Sequence, residues 1–321
     1  MVGNRSLISI VIPARNEEGG LDTLEKRLTA VAAGLPYDFE FILIDNHSSD
    51  QTGSLAKQLC QRDARWKYLR FSRNFMVDAS LAAGYLAARG DAILTLYSDM
   101  QDPPELIPKF IEQWQQGFDV VYGVRSTKES ESLGRRLGTL LGYRLIMWLS
   151  EVSIPPDSGD FRLITRDVRD ALLRCGEYNR YTRGLIAWLG FKQVGIPYER
   201  QKRKTGKSHS GNPLYLLFFT LNAITSFSRK PLRAFTFFGI LMMLYSFASI
   251  VVYIGMYFTV NPPRGAATMV ILQCLTLAIL SLGIGILGEY IGAIYLEVKR
   301  RPLFVVQESM NLDTTNLHMP L

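Results

Sequence analysis

Short apolar runs alternate with longer amphipathic ones from residue 7 to residue 125, the pattern of repeated βα units. Residues 7–12 read as a buried strand, followed over 17–33 by a helix with Leu21, Leu24, Leu28 and Val31 on one face. Residues 39–44, 68–71, 92–96 and 120–124 read as further strands, and 51–62, 77–89 and 104–116 as the helices among them. The expected fold class is α/β, a mostly parallel sheet with helices on both faces. Beyond it, 133–150 reads as an amphipathic helix, and Asp157-Ser158-Gly159-Asp160-Phe161-Arg162 as a loop too polar for a core.

Two later stretches alter this picture. Residues 234–258 and 266–288 carry no charged side chain, and each is long enough to cross roughly 30 Å of hydrocarbon as a helix. They lie far from the start, so a cleaved leader does not account for them. The link between them carries only Arg264, whereas Arg229, Lys230 and Arg233 precede the first and Lys299, Arg300 and Arg301 follow the second. The positive-inside rule then puts both flanks in the cytoplasm and the Asn261-Pro262-Pro263 turn outside. Residues 212–228 are apolar and aromatic but broken by Asn222, Thr225 and Ser226, which suits a helix lying in the headgroup plane. The expected organisation is a cytoplasmic α/β domain (1–210), an interfacial helix (211–231), a two-helix transmembrane hairpin (232–296) and a cytoplasmic strand and tail (297–321) of a multi-pass inner-membrane protein. Residues 301–306 read as a strand seeking a partner, which favours a homo-oligomer. The tail after Gln307 reads as disordered.

The net charge is +7, and its densest run, Arg200, Lys202, Arg203, Lys204 and Lys207, lies shortly before the apolar stretches. That placement fits attraction to an anionic membrane face and argues against nucleic acid. The three cysteines are scattered without metal-ligand spacing and read as reduced.

Polar residues collect wherever a strand ends: Pro13-Ala14-Arg15-Asn16-Glu17, Asp45-Asn46-His47-Ser48-Ser49-Asp50, Ser72-Arg73-Asn74, Ser98-Asp99-Met100-Gln101-Asp102 and Arg125. Parallel strands bring such ends to one edge, where open α/β sheets bind ligands. The chain has neither a Gly-x-Gly-x-x-Gly nor a phosphate-loop motif, so it is no evident dinucleotide or P-loop enzyme. The oxygen donors after residue 96 suit a hard divalent cation holding a diphosphate. Asp50 fits a cap for the next helix better than a ligand contact.

With these motifs in this order, and with Gly206-Lys207-Ser208 further on, the chain resembles the family 2 (GT-A fold) glycosyltransferases. Within them it is similar to the polyprenyl-phosphate enzymes related to dolichol-phosphate mannose synthase and the bactoprenol glucosyltransferases. The resemblance implies transfer of a hexose, UDP-glucose being the first choice of donor, to a polyprenyl phosphate with inversion. It implies that Pro13, Ala14, Asn16, Glu17, Asn74 and Ser98 line the nucleotide-sugar pocket and that Asp45 binds the uracil or ribose. Asp99 and Gln101 match the diphosphate and metal positions, for Mg²⁺ or Mn²⁺. Arg125, Arg200, Arg203, Lys207 and Ser208 are candidates for the acceptor phosphate. Asp157 and Asp160 would orient the acceptor or take its residual proton, with Asp157 the first choice for a base. Tyr97 stands where the family has the first Asp of Asp-x-Asp, Met76 where glycine is common, and His209 where lysine is common. GDP-mannose or another donor, and a catalytically impaired nucleotide-sugar scaffold, stay open as alternatives. A processive synthase fits less well, for no Gln-x-x-Arg-Trp lies downstream.

Overall fold

The computed structural model describes residues 5–125, 158–178, 180–199, 230–259 and 265–313. Strands β1 (Leu7–Ala14), β2 (Asp38–Asp45), β3 (Trp66–Phe71) and β4 (Ala92–Thr95) are mutually parallel in the order β4-β1-β2-β3. They are joined by β5 (Val120–Arg125), β6 (Ser158–Thr165), β7 (Gln193–Tyr198) and β8 (Val306–Met310) in one eight-stranded sheet, ordered β7-β5-β6-β4-β1-β2-β3-β8. Only β6 and β8 run against their neighbours. The carboxyl ends of β1 to β5 therefore share one edge, as the alternation of the sequence predicts.

Helices α1 (Leu21–Ala33), α2 (Thr52–Arg62), α3 (Met76–Ala87) and α4 (Ile107–Gln115) connect these strands, and α5 (Arg166–Arg174) and α6 (Thr182–Trp188) follow β6. Side chains on the strands alternate between two cores, as a sheet covered on both faces requires. Ile8, Ile10 and Ile12 pack with Leu24, Leu28, Phe110 and Phe161 on one face. Val11, Ile42 and Ile44 pack with Leu81, Tyr85 and Leu172 on the other. A Cβ at Gly84 would lie 2.1 Å from Val11 Cγ1, so α3 sits on β1 at a distance only glycine permits.

Residues 158–162 correct the sequence reading. They begin the strand β6 in the middle of the sheet, between β4 and β5, rather than forming a loop. The polarity was misleading because Asp160 and Arg162 are buried, Asp160 held by Arg183 from another element and Arg162 donating to the Gly159 carbonyl of its own strand. Phe161 and Leu163 point to the opposite core. The tail corrects it too: residues 306–310 are strand β8, paired antiparallel with β3 of the same chain. Glu308 meets Lys57 at 2.6 Å, and Asn311 Nδ2 donates to the carbonyls of Cys60 and Trp66 at 2.9 Å each. The strand expected over 301–306 thus falls a few residues later, and its partner lies within the chain, which removes the argument drawn from it for an oligomer.

The longest helices are α7 (Lys230–Thr259) and α8 (Ala266–Val298), at 30 and 33 residues. Their large apolar side chains, Phe237, Met243, Phe247, Leu277, Leu282 and Ile284 among them, are exposed. Among the described residues one segment, Leu275–Val298, is long and apolar enough to cross a membrane. Its 24 residues, at about 1.5 Å each, exceed a hydrocarbon core. The two helices touch where the Phe235 ring covers Gly283. At the far end of α8, Glu297 accepts the Tyr178 N–H at 2.9 and 3.0 Å, docking the helix on the α/β domain. The expected helices over 133–150 and 212–228 and the outer turn at 261–263 lie outside the described residues.

Candidate active site

The strand-end clusters converge. Asn16 N donates to Ser48 Oγ at 3.0 Å and Ser49 N to Asn16 Oδ1 at 2.8 Å. Glu17 N reaches Thr52 Oγ1 at 2.9 Å, and Gln51 N reaches Glu18 at 2.8 Å. These bonds weld the loop after β1 to the loop after β2. Ser98 Oγ ties the loop after β4 to the carbonyl of Pro13 at 3.0 Å. Asn46 holds the loop after β3, accepting from Phe75 N at 2.9 Å and donating to Met76 O at 3.0 Å. Asn74 Oδ1 accepts from Met76 N at 3.0 Å. Asp50 Oδ1 accepts from Thr52 N at 3.0 Å, the helix-start role its position suggested.

Each of the four parallel strands is followed by a residue in the left-handed region that is not glycine: Asn16 (φ 55°), His47 (61°), Met76 (70°) and Met100 (54°). Such backbone persists only where surrounding bonds hold it, and it gathers at binding sites. Its repetition at one edge of the sheet marks that edge as the site.

Asp45 is fully buried and committed. Its Oδ2 accepts from Arg70 Nη1 at 2.7 Å and Tyr68 Oη at 3.0 Å, and its Oδ1 from Ser48 N at 2.7 Å. Pro13, Ala14 and Glu17 are buried beside it, and Asn16 is exposed. In the acidic loop Asp99 is half-buried, and one carboxylate oxygen takes the N–H of Gln101 at 3.1 Å. The buried Asp102 turns the other way and accepts from Tyr198 Oη. Burial, with Asp102 next, raises the Tyr198 phenol above its ordinary value, and Arg125 lies alongside. Arg125 Nε is buried with no hydrogen-bond partner among the described residues.

Asp160 lies across from Tyr97, because β6 pairs with β4 in the register Arg162 to Thr95. Tyr97 Oη donates to Asp160 Oδ2 at 2.7 Å, and Arg183 holds both carboxylate oxygens, Nε to Oδ1 and Nη2 to Oδ2, at 2.6 Å each. Burial alone would push this carboxyl up. The Arg183 guanidinium beside it outweighs that and holds it well below the usual carboxylate range. A carboxylate held this way is a poor proton acceptor. Asp157, Arg200, Arg203, Lys207 and Ser208 lie outside the described residues.

Sequence reasoning missed Tyr97 as a partner of Asp160, and missed Arg183, Asp78 and Thr182 altogether. The strict alternation Asp160, Phe161, Arg162, Leu163 is a strand signature and would have placed β6. Nothing near Arg183 in the sequence announces an acid 23 positions away.

Residues 9–173 match the family model described as Glycosyl transferase family 2. The chain is 38% identical to the "Uncharacterized glycosyltransferase YkcC" of Bacillus subtilis (strain 168), over 97% of this chain and 96% of that protein. It is 35% identical to the "SfII prophage-derived bactoprenol glucosyl transferase" of Shigella flexneri, over 94% of this chain and 98% of the other. Among solved structures, mannosyl-3-phosphoglycerate synthase from Rubrobacter xylanophilus is similar at 15% identity and a TM-score of 0.46, over 68% of this chain and 72% of that one, too loosely to carry weight. On the match of half its length to the family, and of nearly all its length to these relatives, the chain belongs to glycosyl transferase family 2 and is a glycosyltransferase.

Proposed function

We propose that this glycosyltransferase moves a hexose from a UDP-sugar, UDP-glucose first among donors, to a polyprenyl phosphate at the cytoplasmic face of a membrane. The observation that carries the reading is the union, in one chain, of a family 2 sheet edge bearing Asp99 with an apolar helix docked beside it through Glu297 and Tyr178. A lipid acceptor keeps its tail in the bilayer, so an enzyme anchored there meets it already concentrated and oriented. The near full-length likeness to proteins named bactoprenol glucosyl transferase supports the same acceptor.

The donor set fits a divalent cation completed by substrate. Asp99 and Gln101 offer oxygen ligands on a tight turn, and Mg²⁺ needs only one or two carboxylates when phosphates also bind it. Asp99 and Gln101 would hold the Mg²⁺ or Mn²⁺, which supplies Lewis-acid stabilisation of the departing diphosphate. Among the described residues no cluster of three acidic, histidine or cysteine ligands exists, and a bound diphosphate would add donors of its own. Pro13, Ala14, Asn16, Glu17, Asn74 and Ser98 wall the nucleotide pocket, and Asp45 shapes it through the Ser48 loop.

In the reaction an acceptor phosphate oxygen forms a bond to the anomeric carbon. The bond to the UDP oxygen breaks on the opposite face, and UDP leaves with the electron pair. A phosphate monoester has a second pKa of roughly 6, so the nucleophile arrives largely ionised and no strong base is required. Asp157 orients the acceptor and takes any residual proton, while Arg125, Arg200, Arg203, Lys207 and Ser208 neutralise its phosphate. Residues 211–231 and the α7–α8 pair hold the domain at the membrane as an interfacial helix and a two-span hairpin.

Purified full-length protein, given polyprenyl phosphate and radiolabelled UDP-glucose or GDP-mannose with Mg²⁺ or Mn²⁺, tests this. A glycolipid of polyprenyl-phosphate-hexose mass from UDP-glucose is expected. Product from GDP-mannose alone would change the donor, and no lipid product from any nucleotide sugar would overturn the acceptor.

A further inference from the structure

We propose that Arg183 is a positioning residue that, by gripping Asp160, fixes Tyr97 and so sets the loop Ser98-Asp99-Met100-Gln101 for the donor diphosphate and its metal. The inference rests on reading that loop as the diphosphate site. Tyr97 is the middle of the three residues between strand β4 and Asp99, the loop's first ligand, so where its hydroxyl is held bears on where the loop begins. The loop has two described anchors at that end: Tyr97 Oη on Asp160 Oδ2 at 2.7 Å and Ser98 Oγ on Pro13 O at 3.0 Å. Past them Met100 adopts φ 54°, a conformation that relaxes unless its flanks are held.

Asp160 can serve as an anchor only if it is immobile and charged. Two parallel bonds from Arg183 at 2.6 Å supply both conditions, and a fork of this kind fixes direction as well as distance. Arg183 is itself held by more than its own short helix. The preceding residue, Thr182, donates to Asp78 Oδ1 through Oγ1 at 2.8 Å and through its backbone N at 3.3 Å, tying the start of α6 to α3. Arg180 Nη2 donates to the carbonyls of Leu172 and Cys175 at 2.6 Å each, pinning the segment to the end of α5. Tyr178 N is clamped by Glu297 at the end of α8. Tyr178, Arg180, Thr182 and Arg183 thus link the apolar helix to the carboxylate that holds the acidic loop.

This explains how the site tolerates Tyr97 where the family pattern has an acid. An aspartate at 97 would face Asp160 across the strand pair, two carboxylates in a buried place. The phenol turns the same contact into a hydrogen bond, and the metal load passes to Asp99, Gln101 and the substrate.

The test uses full-length protein in detergent and four quantities: donor KM, acceptor KM, half-saturating metal concentration and melting temperature. Tyr97→Phe removes one hydrogen bond to a charged group and should raise donor KM and the metal requirement about ten-fold while leaving acceptor KM unchanged. Arg183→Lys keeps a single bond and should fall between parent and Tyr97→Phe. Adding Tyr97→Phe to Arg183→Gln should cost no more than Arg183→Gln alone, because the two residues act through one contact. A Tyr97→Phe enzyme with unchanged donor KM and metal requirement overturns the proposal. So does a shift in acceptor KM instead, or a double variant whose losses multiply. Asp99→Asn reports separately on the loop reading: if it leaves metal dependence intact, the loop is not the diphosphate site and the inference falls with it.

Discussion

Arg70 on β3 places Nη1 2.7 Å from Oδ2 of Asp45 on β2, closing a partly buried ion pair at the site edge. Arg70 Nη2 also takes the Ser48 carbonyl at 2.8 Å, and Asp45 Oδ1 takes the Ser48 N–H, so the pair shapes the loop that receives Asn16. Helix α2 starts against this pair, and a Cβ at Gly53 would stand 2.8 Å from Tyr68 Oη, 3.0 Å from Arg70 Nη1 and 3.3 Å from Asp45 Oδ2. Glycine to alanine inside a helix ordinarily gains about 1 kcal/mol. Here the sign should reverse, since the new methyl pushes the Arg70–Asp45 pair apart. Gly53→Ala is expected to lower the melting temperature and raise donor KM. A variant melting higher than the parent would show that the cluster yields freely.

Asp99→Asn keeps the oxygen that accepts the Gln101 N–H and removes only the charge. The melting temperature should hold, while kcat drops about a hundred-fold, the scale of one lost electrostatic contact to a developing charge. Raising the concentration of Mn²⁺ should recover part of that loss. Full activity at unchanged metal concentration would move the cation away from this loop.

The sheet from β1 to β5 was legible because its strands are largely buried and carry short, mostly apolar runs, though Glu40 interrupts β2 and Lys67 and Arg70 interrupt β3. The edge of the site was legible because Asn16, Asp45, Asn74 and Asp99 follow those runs directly. Strand β6 was not, since Asp160 and Arg162 look like loop residues until their surroundings are known: Asp160 is held by Tyr97 and Arg183 from separate elements, and Arg162 folds back on the Gly159 carbonyl. Asp45 shows the same limit from the other side. Its position at a strand end announces a carboxylate at the site edge but not its bonds to Tyr68, Arg70 and the Ser48 N–H, the first two of which follow from the register of β2 on β3. Strand β8 was expected a few residues too early because Gln307, Glu308 and Ser309 have no apolar period; its backbone pairing with β3 defines it.

Met76 carries φ 70° with its side chain 57% exposed, so it bears backbone strain without evident packing in return. The left-handed region costs an L-residue about 1–2 kcal/mol. Glycine gives back about 1 kcal/mol of that through the freedom of its unfolded chain. Met76→Gly should therefore be neutral or stabilising by up to about 1 kcal/mol, seen as an unchanged or raised melting temperature. The Asn46 bond to the residue 76 carbonyl is backbone-directed and survives the change. A clear loss of stability would mean the thioether packs against a segment outside the described residues.

Asp78 gives the acid–base behaviour of the buried network a definite sign. Burial, and next the charge of Asp160, raise its carboxyl above the ordinary value, against the pull of Thr182 and Arg183. The folded state then binds this proton more tightly than the unfolded chain does. Its contribution to stability is complete below the unfolded pKa and is lost as pH rises through the folded one. Asp160 runs the other way: its depressed pKa adds stability above the ordinary carboxylate range and loses it in stronger acid. Asp78→Asn isolates the first term, for the amide oxygen still accepts from Thr182 Oγ1 and N while the charge is gone. Melting curves of parent and variant across mildly acidic to neutral pH should diverge in the variant's favour as pH rises and converge at the acid end. A constant gap at every pH, with the variant lower, would show that the Asp78 charge is fully compensated by Arg183 and Arg180 and is needed to balance them.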